Sequence, residues 1–186
     1  ERAARLAAEQ AERAAAAEQA AAKAAKLWEA ATPDRAHPYL ARKQIPGIGA
    51  RVVRDQLLVP MRHGPGALVG LQVIQADGSR KFLTGTPAGG AYTTLGKPSR
   101  TGWVVICEGY ATGVSIHLAT GYCVVVAFSA GNLQAVATKI RAALPEAALV
   151  LAADDEFRTD GNPGVTAARA AAEAVSGLLA LPSWAD

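Results

Sequence analysis

The apolar positions of this chain fall into two regimes. From residue 103 onward, unbroken apolar runs at 103–107, 123–128 and 148–153 alternate with stretches at about 111–120, 132–143 and 163–180 whose apolar residues recur at helical spacing. A strand that is apolar at every position is covered on both faces, and strands of that kind separated by helices imply right-handed βαβ crossovers. The expected fold class is therefore α/β, a parallel sheet flanked by helices. Before residue 103 the runs are shorter and turns punctuate them. Strand patterns appear at 57–60, 68–74 and 81–83, with Gly64-Pro65-Gly66 and Asp77-Gly78 between them, the second a hairpin signal. This predicts a small β-rich subdomain. His37 to Lys43 reads as a short helix opened by Pro38 and broken by Pro46-Gly47-Ile48-Gly49.

Residues 1–31 are rich in alanine with Glu, Gln, Arg and Lys interspersed, all strong helix formers, and Pro33 stops the run. Large apolar residues are scarce before Leu27 and Trp28. The expectation is a solvated helical connector, with packing on the core or on another chain as the alternative. Three domains follow: residues 1–35 as an alanine-rich connector, 36–102 as a basic β-rich subdomain, and 103–186 as the α/β domain.

The chain has 186 residues, 51% of them hydrophobic but only 5% aromatic, so its bulky core is concentrated locally. No apolar run approaches the roughly 20 residues of a membrane span, and no signal peptide is visible. These features predict a cytoplasmic protein without membrane contact. The first residue is Glu1, which suggests a piece of a longer protein. Cys107 and Cys123 both lie in Val/Ile-rich strand patterns without a CxxC pair, which excludes a zinc ribbon here and favours two buried thiols in a reducing compartment. The net charge of +3 conceals balances of +2 over 1–47, +5 over 48–102 and −4 over 103–186. A basic segment beside an acidic one suits a protein that grips a polyanion and holds divalent metal.

The acidic residues sit where they matter. Glu108 follows the first apolar strand, and Asp154, Asp155 and Glu156 follow the third. Carboxylates at the ends of buried strands must be paired, coordinated or protonated, and the carboxyl ends of strands are where open α/β sheets bind ligands. Gly109 permits a tight turn into the next helix. Gly131 and Asn132 occupy the corresponding loop after the second strand, with Asn132 suited to cap a helix. Asn162, Pro163 and Gly164 open the last helix, with proline at its first turn. For Gly109, Gly131, Asn132, Asn162 and Gly164, a turn or cap role and a nucleotide contact both remain open. His37, His63 and His117 read as structural.

The spacing of Glu108-Gly109 and the acidic triplet, 46 positions apart, resembles the Toprim domain shared by primases, topoisomerases and some nucleases. The stretch Glu108-Gly-Tyr-Ala-Thr-Gly113 narrows that resemblance to primases of conjugative plasmids, integrative elements and satellite phages. The stretches 37–43, 128–132, 153–156 and 162–164 are similar to that group as well. The segments 59–62, 68–71 and 80–83 are similar to the amino-terminal part of replicative primase cores. The resemblance covers about residues 36–182.

It implies a DNA primase core that makes short RNA primers on single-stranded DNA from NTPs with Mg2+ or Mn2+. An RNA–DNA hybrid is the product held, and a helicase or zinc-binding module belongs to the longer protein. The implied catalytic residues are Glu108, Asp154 and Glu156, with Asp155 beside them as a further metal ligand. Glu108 would bind metal or take the proton of the primer hydroxyl. Arg62, Arg80 and Lys81 would hold template or hybrid phosphates; Arg51, Arg54, Lys97 and Arg100 would extend the basic face. Glutamate stands at 156 where the family has aspartate. Two other readings of the same residues are a metal-dependent nuclease and a non-catalytic nucleic-acid scaffold.

Overall fold

The computed structural model describes residues 1–33, 36–155 and 158–182. It divides into two units, Glu1–Ala91 and Tyr92–Asp186.

In the first unit, α1 (Arg2–Ala30) leads through β1 (Thr32–Pro33) and α2 (Pro38–Lys43) into β2 (Arg51–Val53), β3 (Gln56–Arg62), β4 (Leu68–Ile74) and β5 (Arg80–Phe82). The five strands form one antiparallel sheet in chain order. Asp77-Gly78 makes the tight turn its sequence signals: Gly78 has φ +92°, and the Asp77 carboxylate accepts from the Ser79 amide at 2.8 Å. The Ser79 side chain first, and this amide bond second, hold the Asp77 carboxyl below its usual pKa. His37 is buried and structural. Its Nδ1 accepts from the Tyr39 amide at 3.2 Å, leaving Nε2–H to donate to the Asp55 carbonyl at 2.9 Å.

The helix α1 is not a free connector. Ala20 and Ala24 are buried, and Ala24 and Ala31 form a cluster with Leu58, Leu71 and Val73, covered by Leu27 and Trp28. Small side chains let the helix backbone lie close to the sheet, so alanine, which looks featureless in sequence, is what the packing needs. At Gly85 (φ +86°) an added Cβ would stand 2.6 Å from the Ala16 carbonyl oxygen. Arg51 ties the end of the helix to β2: it donates to the Trp28 carbonyl at 2.9 Å and its guanidinium lies 4.6 Å from the Trp28 ring centre. Arg51 thus serves packing within its own unit.

The second unit holds β6 (Thr93–Leu95), β7 (Trp103–Cys107), α3 (Tyr110–Thr120), β8 (Cys123–Val126), a 3-10 turn (Ala130–Asn132), α4 (Leu133–Ala143), β9 (Ala148–Ala152), α5 (Pro163–Ala174) and β10 (Leu178–Ala180). The sheet runs β10-β9-β7-β8-β6, parallel except for β6. The core is built from Val104, Ile106, Val125, Leu149 and Leu151 of the sheet with Leu133, Val136 and Ile140 of α4 and the alanines 168, 171 and 172 of α5. The helical pattern expected over 163–180 stops at Ala174. Ser176 adopts φ +47°, and a Cβ at Gly177 would stand 3.1 Å from the Leu149 carbonyl oxygen, so the chain turns there and pairs as β10.

Cys107 and Cys123 are free and buried. The register pairs Cys123 with Val104, three rungs from Cys107 and about 10 Å along the strands, too far for a disulfide. Burial pushes the Cys123 thiol up to about 11. Among the described residues no helix is long and apolar enough to cross a membrane.

Candidate active site

The two central parallel strands end together. Cys107 of β7 pairs with Ala152 of β9, so Glu108 and Ala153 leave the sheet at the same level and Asp154 comes one residue later. Burial pushes the Cys107 thiol far above its ordinary pKa, and the charges of Asp154 and then Glu108 push it the same way. Both carboxylates therefore act on one buried sulfur, which brings the first and third strand-end acids to one place. Glu108, Asp154 and Asp155 are all half-buried. Glu156 lies outside the described residues.

The backbone around Glu108 is fixed from two sides. Its carbonyl accepts from the Phe128 amide at 2.9 Å, and the Cys107 carbonyl accepts from the Ala127 amide at 2.8 Å, which extends the β7–β8 pairing past the strands. Phe128 takes a left-handed φ of +70° to make that bond. Gly109 is the N-terminal cap position of α3, its carbonyl accepting from the Gly113 amide at 2.9 Å. The chain turns into α3 at Gly109 with φ −95° and ψ 143°, backbone angles open to any residue. Gly113 is the glycine that sequence reasoning passed over. A Cβ there would meet the Val126 side chain at 2.7 Å and the Cys107 sulfur at 3.2 Å, so only a glycine lets α3 pack this close behind Glu108.

The Asp154 loop is held from the other direction. A Cβ on Gly164 would stand 2.3 Å from the Asp154 carbonyl oxygen, so the first turn of α5 presses directly on that residue. Asn162 donates from Nδ2 to Asp155 Oδ1 at 2.8 Å and adopts φ +40°, a left-handed conformation that asparagine tolerates. The stretch 162–164 therefore positions the acids. Asn132 is buried and donates from Nδ2 to the Ala127 carbonyl at 2.8 Å in place of a side-chain cap on α4, tying the β8 loop to its strand. Gly131 is exposed with open space around its Cβ position.

The phosphate candidates Arg62, Arg80 and Lys81 belong to the first unit and do not form one patch, while Lys97 and Arg100 lie in the second unit. Arg62 ends β3 opposite Leu68 and donates to the Gly66 carbonyl at 2.7 Å. Arg80 and Lys81, both exposed, pair with Ile74 and Val73 at the other end of β4. Six residues of β4 separate the two ends, about 20 Å. Arg42, not singled out from sequence, joins Arg80: both guanidiniums act on the Tyr39 hydroxyl, opposing the burial that raises its pKa, and Arg42 donates to the Ala76 carbonyl at 2.9 Å.

Among the described residues no three His, Cys, Asp or Glu side chains gather closely enough to hold a metal on their own. Paired carboxylate oxygens do suit a hard divalent cation that keeps several waters and takes its remaining ligands from substrate phosphates.

The chain is similar to known proteins. Residues 103–182 match the family model described as "Toprim domain". A DNA primase TraC of Escherichia coli is 36% identical over 159 residues, which is 80% of this chain and 15% of that protein. The chain thus spans a small part of the length of this relative. The primase fragment of the bacteriophage T7 primase-helicase protein superposes with a TM-score of 0.54 at 15% identity, over 83% of this chain and 71% of the other. A T7 structure containing primase domains of two gp4 subunits, bound to an RNA/DNA hybrid and dTTP, superposes with a TM-score of 0.52 at 16% identity, over 78% and 73%. At these identities the solved structures share the fold.

Proposed function

We propose, from the premise that residues 103–182 are a Toprim domain, that this chain is the catalytic core of a DNA primase of the conjugative-plasmid type. The observation that carries the reading is the joint placement of Glu108 and Asp154 at the carboxyl edge of β7 and β9, inside a chain similar over 80% of its length to a DNA primase. The substrates are NTPs, the template is single-stranded DNA, and the product is a short RNA held as an RNA–DNA hybrid. Asp154 and Glu108 would hold a divalent cation, with Asp155 and Glu156 next in sequence as further ligands; Mg2+ or Mn2+ there would supply neutralisation of triphosphate charge for an in-line displacement. Alternatively, Glu108 would take the proton of the attacking 3′-hydroxyl. Asn162 and Gly164 fix the acidic loop so that the carboxylates do not reorganise when substrate arrives. Arg62, Arg80, Lys81 and Arg42 supply cations for backbone phosphates in the first unit, where the charge balance is most positive.

The experiment is labelled-ribonucleotide incorporation on single-stranded DNA, comparing the chain with Glu108→Gln and Asp154→Asn in Mg2+ and in Mn2+. Short RNA products that fall at least a hundredfold in both variants support the reading. Template cleavage instead of RNA synthesis would turn it to a nuclease. Failure to extend even a preformed primer, with binding intact, would leave a scaffold.

A further inference from the structure

The edge of the parallel sheet opposite the acids carries a second set of residues with a chemistry of its own. Trp103 begins β7 and Tyr122 precedes β8, and because these strands are adjacent the two rings stack, with centres 6.1 Å apart and planes 20° apart. Both are well exposed, at 44% and 40%. The loop from Gly96 to Gly102 runs along this edge from β6 to β7, is acid-free and carries Lys97 and Arg100, both exposed. Its start is fixed beside Tyr122: Gly96 lies against the His117 ring, whose Nδ1 bonds to the Tyr122 carbonyl oxygen at 2.7 Å. Its end lies toward β9, where Arg100 borders the turn 143–146 and Gly102 accepts from the Ala148 amide at 3.0 Å. Along the edge the order is therefore cation, ring, ring, cation. Glu146 is the acid in the turn beside Arg100.

Exposed rings that sit on rigid strand ends and are flanked by cations match what a single-stranded nucleic acid presents, bases to stack and phosphates to neutralise. We infer that the amino edge of the sheet is a docking surface for single-stranded nucleic acid, with bases stacking on Trp103 and Tyr122 and phosphates held by Lys97 and Arg100. This surface lies about 16 Å from Glu108, five residues of extended chain from Trp103, so it would hold strand outside the reacting centre. The inference does not rest on primase activity.

The test uses the whole chain and a fluorescent oligothymidylate. Affinity should fall about tenfold or more in Trp103→Ala/Tyr122→Ala. In Lys97→Ala/Arg100→Ala the slope of log affinity against log salt should shrink by about 1.4. Light-driven cross-linking of the wild-type chain to an oligonucleotide containing 5-iodouracil needs no variant and should attach at Trp103 or Tyr122. Unchanged affinity and salt slope in well-folded variants would overturn the inference. Cross-links confined to other segments would overturn it too.

Discussion

Gly164 is where the loop carrying Asp154 and the helix α5 meet without room for a methyl group. In Gly164→Ala the new Cβ must displace the Asp154 carbonyl, because backbone cannot swing aside as a side-chain tip can. Overpacking of this kind costs about 1–3 kcal/mol, and a shift of an ångström at a catalytic carboxylate lowers turnover about a hundredfold. Thermal melting and ribonucleotide incorporation should both show the loss, with activity falling further than stability. The thiols make a second residue-scale prediction. Cys123 ionises in the folded chain only near pH 11, against an ordinary value of 9.0, so its neutral form stabilises the fold fully below pH 9. That contribution drains away as pH rises toward 11, and Cys123→Ala should flatten the decline in melting temperature over the same interval. The acids at 108 and 154 were legible from sequence because a strand that is apolar throughout must end somewhere, and its first charge marks the end. The work of Gly113 and Gly164 was not, since a close approach between two segments is written in neither one alone.

At the scale of elements, the pattern of continuous apolar runs gave β7, β8 and β9 and the helices between them. It failed for β6 and β10, each three residues long, too short for any period to show. It also misjudged α1, whose alanines at 20 and 24 share one face four residues apart and seat the helix on the sheet of its unit. Ala24→Leu should therefore destabilise the chain by about 1–3 kcal/mol in urea unfolding. Ala8→Gln, on the exposed part of the same helix, should stay within about 0.5 kcal/mol of wild type. Equal effects at the two positions would mean that the helix does not hold this packing in solution.

For the whole molecule, the second unit carries a hydrophobic cluster of its own: the cluster under the parallel sheet draws only on residues from Tyr92 to Leu179. A chain of residues 92–186 should therefore melt cooperatively by circular dichroism. A featureless melt would show that the first unit is needed to hold the parallel sheet together. The strand order adds a consequence for how the site comes into being. β7 lies between β8 and β9, so Glu108 and Asp154 are strangers in sequence, 46 positions apart, until β9 docks on the far side of β7. Pairings between distant segments form late and slowly. During synthesis Glu108 is thus an ordinary acid on a half-built sheet, and the site assembles only once the third apolar run has left the ribosome.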